Sequence, residues 1–142
     1  MLAMKQKILH ILSFFAFLVL AATDVSAQSI YNSSGSYIGK IESSGRVYNS
    51  SGSYSGCINS DGRVYNSSGS YIGRIEGGGR VYNGSGSYIG RIDGGSVYNG
   101  SGSYLGRIDG GRVYNSSGSY IGNARGVRAD WAAAYFFFFR FY

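Results

Sequence analysis

Arg63-Val64-Tyr65-Asn66-Ser67-Ser68-Gly69-Ser70-Tyr71-Ile72-Gly73-Arg74-Ile75-Glu76 occurs, with small edits, six times along the chain. The tyrosines that open the copies, Tyr31, Tyr48, Tyr65, Tyr82, Tyr98 and Tyr114, are spaced 17, 17, 17, 16 and 16 residues apart. A fixed period this short marks one supersecondary unit repeated in tandem. The reading of one copy therefore decides the fold of all six.

Each copy holds two short strand-like pieces, Val-Tyr and Tyr-Ile-Gly-Arg-Ile, separated by turn residues. The first turn is Asn-Ser-Ser-Gly or Asn-Gly-Ser-Gly, as at Asn49 to Gly52 and Asn83 to Gly86. Asparagine starts a type I turn and glycine takes the positive φ that ends it. The second turn is long in the early copies (Glu42-Ser43-Ser44-Gly45, Asn59-Ser60-Asp61-Gly62, Glu76-Gly77-Gly78-Gly79). It is one residue shorter in the later ones, as in Asp109-Gly110-Gly111-Arg112. Inside a strand that loss would turn every following side chain to the other face. In a turn it only exchanges a longer loop for a two-residue primed turn, which Gly-Gly suits. The change in period thus locates the loops.

The short turn also assigns faces. With Asp109 opposite Arg112, Ile108 faces Val113 and Arg107 faces Tyr114. Strict alternation then puts Tyr104, Gly106, Ile108 and Val113 on a core face free of charge. Leu105, Arg107, Asp109, Arg112 and Tyr114 fall on an outer face, with Arg/Asp pairs and Arg over Tyr. Six hairpins make about twelve short strands, and a sheet of that size leaves open edges unless it closes. The expected fold is all-β: a symmetric barrel or flower of six hairpins over residues 28–126. Strands of about five residues are too short for an outer-membrane barrel, which needs about 9–11.

Two segments flank the repeats. Met1 to Ala27 reads as a secretory signal peptide, with Lys5 and Lys7 in a basic n-region and an apolar run from Ile8 to Ala22. Val25-Ser26-Ala27 supplies small residues for cleavage. A permanent anchor competes, but the apolar run falls short of the about 20 residues a span needs. Export to the periplasm, the cell envelope or the medium is expected. At the other end, Val127 to Tyr142 contains Trp131, four alanines and the run Tyr135-Phe136-Phe137-Phe138-Phe139-Arg140-Phe141-Tyr142. Alanine favours helix, the phenylalanines favour strand, and near-continuous apolarity suits an element buried on all sides. An apolar C-terminal helix plugging the bore would explain the glycine in each core face: Gly39, Gly56, Gly73, Gly90, Gly106 and Gly122 remove side chains where rings approach. Two other readings stand beside the plug. One is an interfacial anchor whose lipid contacts are Trp131, Tyr135, Phe136, Phe137, Phe138, Phe139, Arg140 and Phe141. The other is an outer-membrane assembly signal in the terminal aromatics.

A repeat such as Gly79-Arg80-Val81-Tyr82-Asn83-Gly84-Ser85-Gly86-Ser87-Tyr88-Ile89-Gly90-Arg91-Ile92-Asp93-Gly94 resembles the bacterial β-flower repeat proteins, and the resemblance covers Ile30 to about Gly126. It implies a shallow symmetric barrel of hairpins with no established activity. Related forms carry fewer petals, often four, against six here. Twelve strands followed by an apolar helix are also similar to the tubby and phospholipid-scramblase architecture. That likeness is one of element count and implies, by analogy only, a helix-filled barrel and phospholipid binding.

The residues offer little to a catalyst. The chain has 24 glycines, 14 tyrosines and no proline, and its one histidine, His10, lies in the signal segment. Without histidine in residues 28–142, Ser-His and Cys-His nucleophiles and the usual zinc sites are absent. The acids Glu42, Glu76, Asp93 and Asp109 recur at one repeat position, which spreads them around a rim instead of pairing two across a cleft. Cys57 fills the slot of Lys40, Arg74, Arg91 and Arg107, and as the sole cysteine it forms no intrachain disulfide. Residues 28–142 retain 11 basic against 6 acidic groups, but these alternate, as on a solvated charged face. Interleaved Arg and Tyr also suit single-stranded nucleic acid, a partner that an exported protein seldom meets. The expected function is a non-enzymatic binding or structural module without a cofactor or metal. Its ligand is open between a membrane lipid and a glycan. The expected outer-face contacts are Tyr48, Tyr65, Arg74, Tyr82, Arg91, Tyr98, Arg107 and Tyr114.

Overall fold

The computed structural model describes residues 28–141, so the signal-peptide reading of residues 1–27 lies outside the described part. Twelve antiparallel strands follow one another: β1 (Ser29–Asn32), β2 (Tyr37–Ile41), β3 (Arg46–Asn49), β4 (Tyr54–Ile58), β5 (Arg63–Asn66), β6 (Tyr71–Ile75), β7 (Arg80–Asn83), β8 (Tyr88–Asp93), β9 (Ser96–Asn99), β10 (Tyr104–Asp109), β11 (Arg112–Asn115) and β12 (Tyr120–Asn123). Each pairs with its sequence neighbours, and β1 pairs with β12, closing the barrel. Closure leaves no edge strand.

The turns follow their chemistry. At each Asn turn the glycine amide donates to the asparagine carbonyl, as Gly69 N to Asn66 O at 3.0 Å. The Asn66 side-chain oxygen accepts three further bonds, from Ser68 N (3.1 Å), Ser68 Oγ (2.8 Å) and Ser70 N (3.0 Å). In the short second turn Asp109 pairs with Arg112 in the ladder, and Gly110 and Gly111 take φ of 54° and 84°. Two successive positive φ values are those of the primed turn the sequence predicts.

One expectation fails. Arg107 lies opposite Tyr114 and Ile108 opposite Val113, as the alternation requires, but between β9 and β10 the register jumps. Tyr104 pairs with Tyr98, whereas Gly106 pairs with Val97. Leu105 is thus the extra residue of a β-bulge, and a bulge restarts the alternation. Tyr104, expected in the core, stands on the outside at 39 % exposure. The same shift occurs in all six hairpins, so Tyr37, Tyr54, Tyr71, Tyr88 and Tyr120 also face outward. The bulge residues Ile38, Ile72 and Ile89 pack against the core.

That core starts with a ring of fully buried valines, Val47, Val64, Val81, Val97 and Val113, joined by Ile30 at the same position of the first hairpin. Inside it runs the C-terminal segment. Helix α1 (Ala129–Ala133) leads into a π-helical turn (Ala134–Phe138), closed by Phe139 N donating to Ala134 O at 2.8 Å, and Phe139 is extended. Ala132, Ala133 and Ala134 are completely buried. The expected apolar helix in the bore is therefore present, though only its first five residues are α-helical.

The rings of this segment are distributed one to a hairpin. A Cβ built on Gly122 would meet Phe136 at 2.7 Å, one on Gly106 Phe137 at 2.8 Å, one on Gly90 Phe138 at 2.5 Å, one on Gly73 Phe139 at 2.5 Å and one on Gly56 Phe141 at 3.1 Å. The tail thus visits hairpins six, five, four, three and two in turn, against the direction of the strands. Tyr135 lies between Phe136 and Phe141, with centroids 5.3 and 5.9 Å away. Among the described residues of the run, Arg140 is the one that drops out of the ring. The geometry explains the π turn. Six hairpins stand about 60° apart, whereas an α-helix rotates about 100° per residue. The wider i→i+5 turn rotates less per residue and brings successive rings closer to successive hairpins.

Candidate binding surfaces

The outside of the barrel carries six nearly identical polar–aromatic units. In each, the tyrosine of the first strand meets that of the second edge-on, with centroids 5.8–6.0 Å apart and ring planes at 63–74°. Such a pair adds about 0.5–1.5 kcal/mol beyond burial. A cation from the preceding hairpin covers the first ring: Arg74 over Tyr82 at 4.4 Å, Arg91 over Tyr98 at 4.5 Å, Arg107 over Tyr114 at 4.3 Å and Lys40 over Tyr48 at 4.9 Å. Each contact contributes about 0.5–1 kcal/mol at an exposed site. Tyr65 faces Cys57 on the adjoining strand instead. The drifted repeat position thus removes one cation from the belt.

The eight outer-face residues expected from the sequence are therefore brought into one girdle. The six partner tyrosines, 38–42 % exposed, lie on the face opposite to the one that strict alternation predicts. A signal for them exists: every copy has a second tyrosine two residues before the core glycine, and a glycine in mid-strand is itself a sign of a bulge. Acids hold the guanidinium groups along the strands. Arg74 meets Glu76 at 3.0 Å and Arg91 meets Asp93 at 3.7 Å. The cross-strand Arg112–Asp109 pairing appears in the ladder, but the ion pairs of the described outer face run along single strands.

The lipid-contact candidates other than Arg140 sit inside. Trp131, Phe139 and Phe141 are buried, Tyr135 to Phe138 are half-buried, and Arg140 alone is exposed. Trp131 lies at the barrel end formed by the second turns, against Gly45. Arg128 stands over its ring at 4.8 Å and binds Asp130 through two bonds of 3.1 and 2.8 Å. Beside them a cleft of about 400 Å³ opens over the loops of the second to fourth hairpins, with Asp61, Glu76, Asp93 and Asp130 on its walls. Among the described residues no group of three or more His, Cys, Asp or Glu side chains is placed to hold a metal ion.

At the opposite end, among the Asn turns, Arg140 emerges beside a second cleft of about 340 Å³. It is centred on β4, where Ser55 replaces the isoleucine or leucine of the other five bulges and is nine-tenths buried. Burial, followed by a hydrogen bond with the Cys57 thiol, pushes the Tyr54 phenol above its ordinary pKa.

No curated protein and no solved structure matches the chain. A family described as "5-fold beta-flower protein" matches residues 27–140, a span that takes in all six hairpins and the aromatic plug. Closed hairpin symmetry and the sequence match agree, and the chain, with six petals in place of the five in that description, belongs to the 5-fold beta-flower protein family.

Proposed function

We propose that this β-flower protein is an exported, non-enzymatic binding module that engages a glycan through the tyrosine belt on the outside of its barrel. The observation that carries the reading is the division of the aromatics. One set fills the bore from within, and twelve tyrosines in six edge-on pairs ring the exterior. A half-exposed ring flanked by a guanidinium and by amide or hydroxyl side chains offers a sugar an apolar face to stack on and donors for its hydroxyls. Sixfold repetition of a weak site suits a polymer of repeating units, because linked sites raise the local concentration for each other. The absence of histidine from residues 28–142 supports the non-enzymatic part. A lipid reading requires the plug to leave the barrel, at the cost of exposing six rings and the valine layer.

Co-sedimentation with insoluble glycans (chitin, cellulose, peptidoglycan) tests the proposal beside anionic liposomes. Retention on at least one glycan is expected, falling at least tenfold when Tyr71, Tyr88 and Tyr104 are together replaced by Ser. Trp131 is the only tryptophan, so its emission should be blue in buffer and unchanged by liposomes. No retention on any glycan refutes the proposal, and a lipid-dependent blue shift puts the membrane reading in its place.

A further inference from the structure

Two departures, one from the repeat and one from the aromatic run of the plug, are far apart in sequence and converge on one place. Five hairpins carry Ile38, Ile72, Ile89, Leu105 or Ile121 at the bulge, and only the second carries a hydroxyl, Ser55. The plug supplies one ring to each hairpin in unbroken succession until it reaches that same hairpin, where Arg140 intervenes before Phe141. The smaller side chain at β4 and the charged residue of the plug border the same cleft of about 340 Å³. Repeat drift alone accounts for Ser55 but not for its meeting with Arg140.

We infer that this cleft is a binding site for a single acidic sugar unit, of the uronic acid class. Arg140 supplies a guanidinium for the carboxylate. Asn49, Asn66 and Ser67, with the Ser55 hydroxyl at the base, supply donors and acceptors for ring hydroxyls, and Tyr54 and Phe141 supply apolar walls. The volume is at the low end of the about 300–1,000 Å³ of small-molecule sites, which fits one ring and not a chain. Among the described residues the ion pairs are Arg74–Glu76, Arg91–Asp93 and Arg128–Asp130, and none involves Arg140. The site adjoins the tyrosine belt and shares Tyr54 with it.

Ser55→Ile is the decisive variant, because it installs the side chain that other copies already accommodate and fills the cleft. Binding of glucuronate and of neutral glucose is followed by NMR shift perturbation on the folded protein. Glucuronate is expected to saturate in the millimolar range and glucose to bind at least tenfold more weakly. Arg140→Gln should bring glucuronate down to the level of glucose. Ser55→Ile should abolish both while the melting temperature stays equal or rises. Equal glucuronate binding by wild type and Ser55→Ile overturns the inference, as does no binding at tens of millimolar. Indifference to Arg140→Gln overturns the acidic assignment. Ser55→Ile leaves all six tyrosine pairs in place, so failure here with intact polysaccharide retention is distinct from failure of the belt.

Discussion

Gly106 tests the ring-per-hairpin packing most directly. A Cβ at this position would run into the carbonyl oxygen of Tyr114 and would lie 2.8 Å from Cζ and 3.0 Å from Cε1 of Phe137. Its φ of +154° is also a value side chains rarely adopt. Overpacking a filled core costs about 1–3 kcal/mol, and a residue held in such a backbone region costs about 1–3 kcal/mol more. Gly106→Ala should therefore lose about 2–6 kcal/mol, a large part of the about 5–15 kcal/mol that stabilises an ordinary domain. Gly102→Ala is the control, since its φ is +86° but nothing lies within 4 Å of the added carbon. Only the backbone cost, about 1–2 kcal/mol, should appear there. Urea unfolding of residues 28–142, followed by Trp131 fluorescence and by circular dichroism, measures both. A double-mutant cycle with Phe137→Ala separates the ring from the carbonyl. Removing the ring should return about 1–2 kcal/mol of the alanine's cost and leave the carbonyl clash in place. If Gly106→Ala costs no more than Gly102→Ala, or if the cycle shows no coupling, Phe137 does not lie on that hairpin and the packing scheme is wrong.

Other outcomes follow from the same geometry. Deleting residues 127–142 should uncover the bore, seen as strong binding of an apolar dye and loss of a cooperative thermal transition. Asn66→Ala removes the acceptor of three exposed hydrogen bonds and should cost about 1 kcal/mol. The same change at Asn99 should add to it independently in denaturant titrations, because distant sites are additive. Arg74→Ala, which loses the contact with Tyr82 and the ion pair with Glu76, should leave the denaturation midpoint almost unchanged because both are exposed. The Tyr54 pKa is raised in the fold, so its contribution to stability is complete below the unfolded value of about 10 and declines as pH rises past it. Wild type should accordingly lose stability relative to Tyr54→Phe between pH 9 and 11 in chemical unfolding.

Local chemistry made much of the architecture legible. The period, the position of both turns, the number of strands and the register of the short hairpins all depend on residues within one copy. Asp109-Gly110-Gly111-Arg112 admits essentially one turn geometry, and that geometry pairs Ile108 with Val113. The glycine of each copy pointed to rings approaching from inside, because the missing side chains line up on one face and the only unassigned rings lie beyond the last repeat. The bulge was not legible. Period-two alternation assumes that every residue has a partner, and the unpaired Leu105 breaks it without changing composition, so Tyr104 and its equivalents were turned to the wrong side.

What tertiary structure alone decided is non-local. Nothing within a copy states that β1 meets β12, that the plug runs against the order of the hairpins, or that one ring serves one petal. Those relations follow from closing six hairpins at about 60° intervals around a helix that must widen to match them. The convergence of Ser55 and Arg140 is of the same kind: 85 residues separate them in the chain, and only the winding of the plug brings the charge to the one hairpin whose bulge is polar.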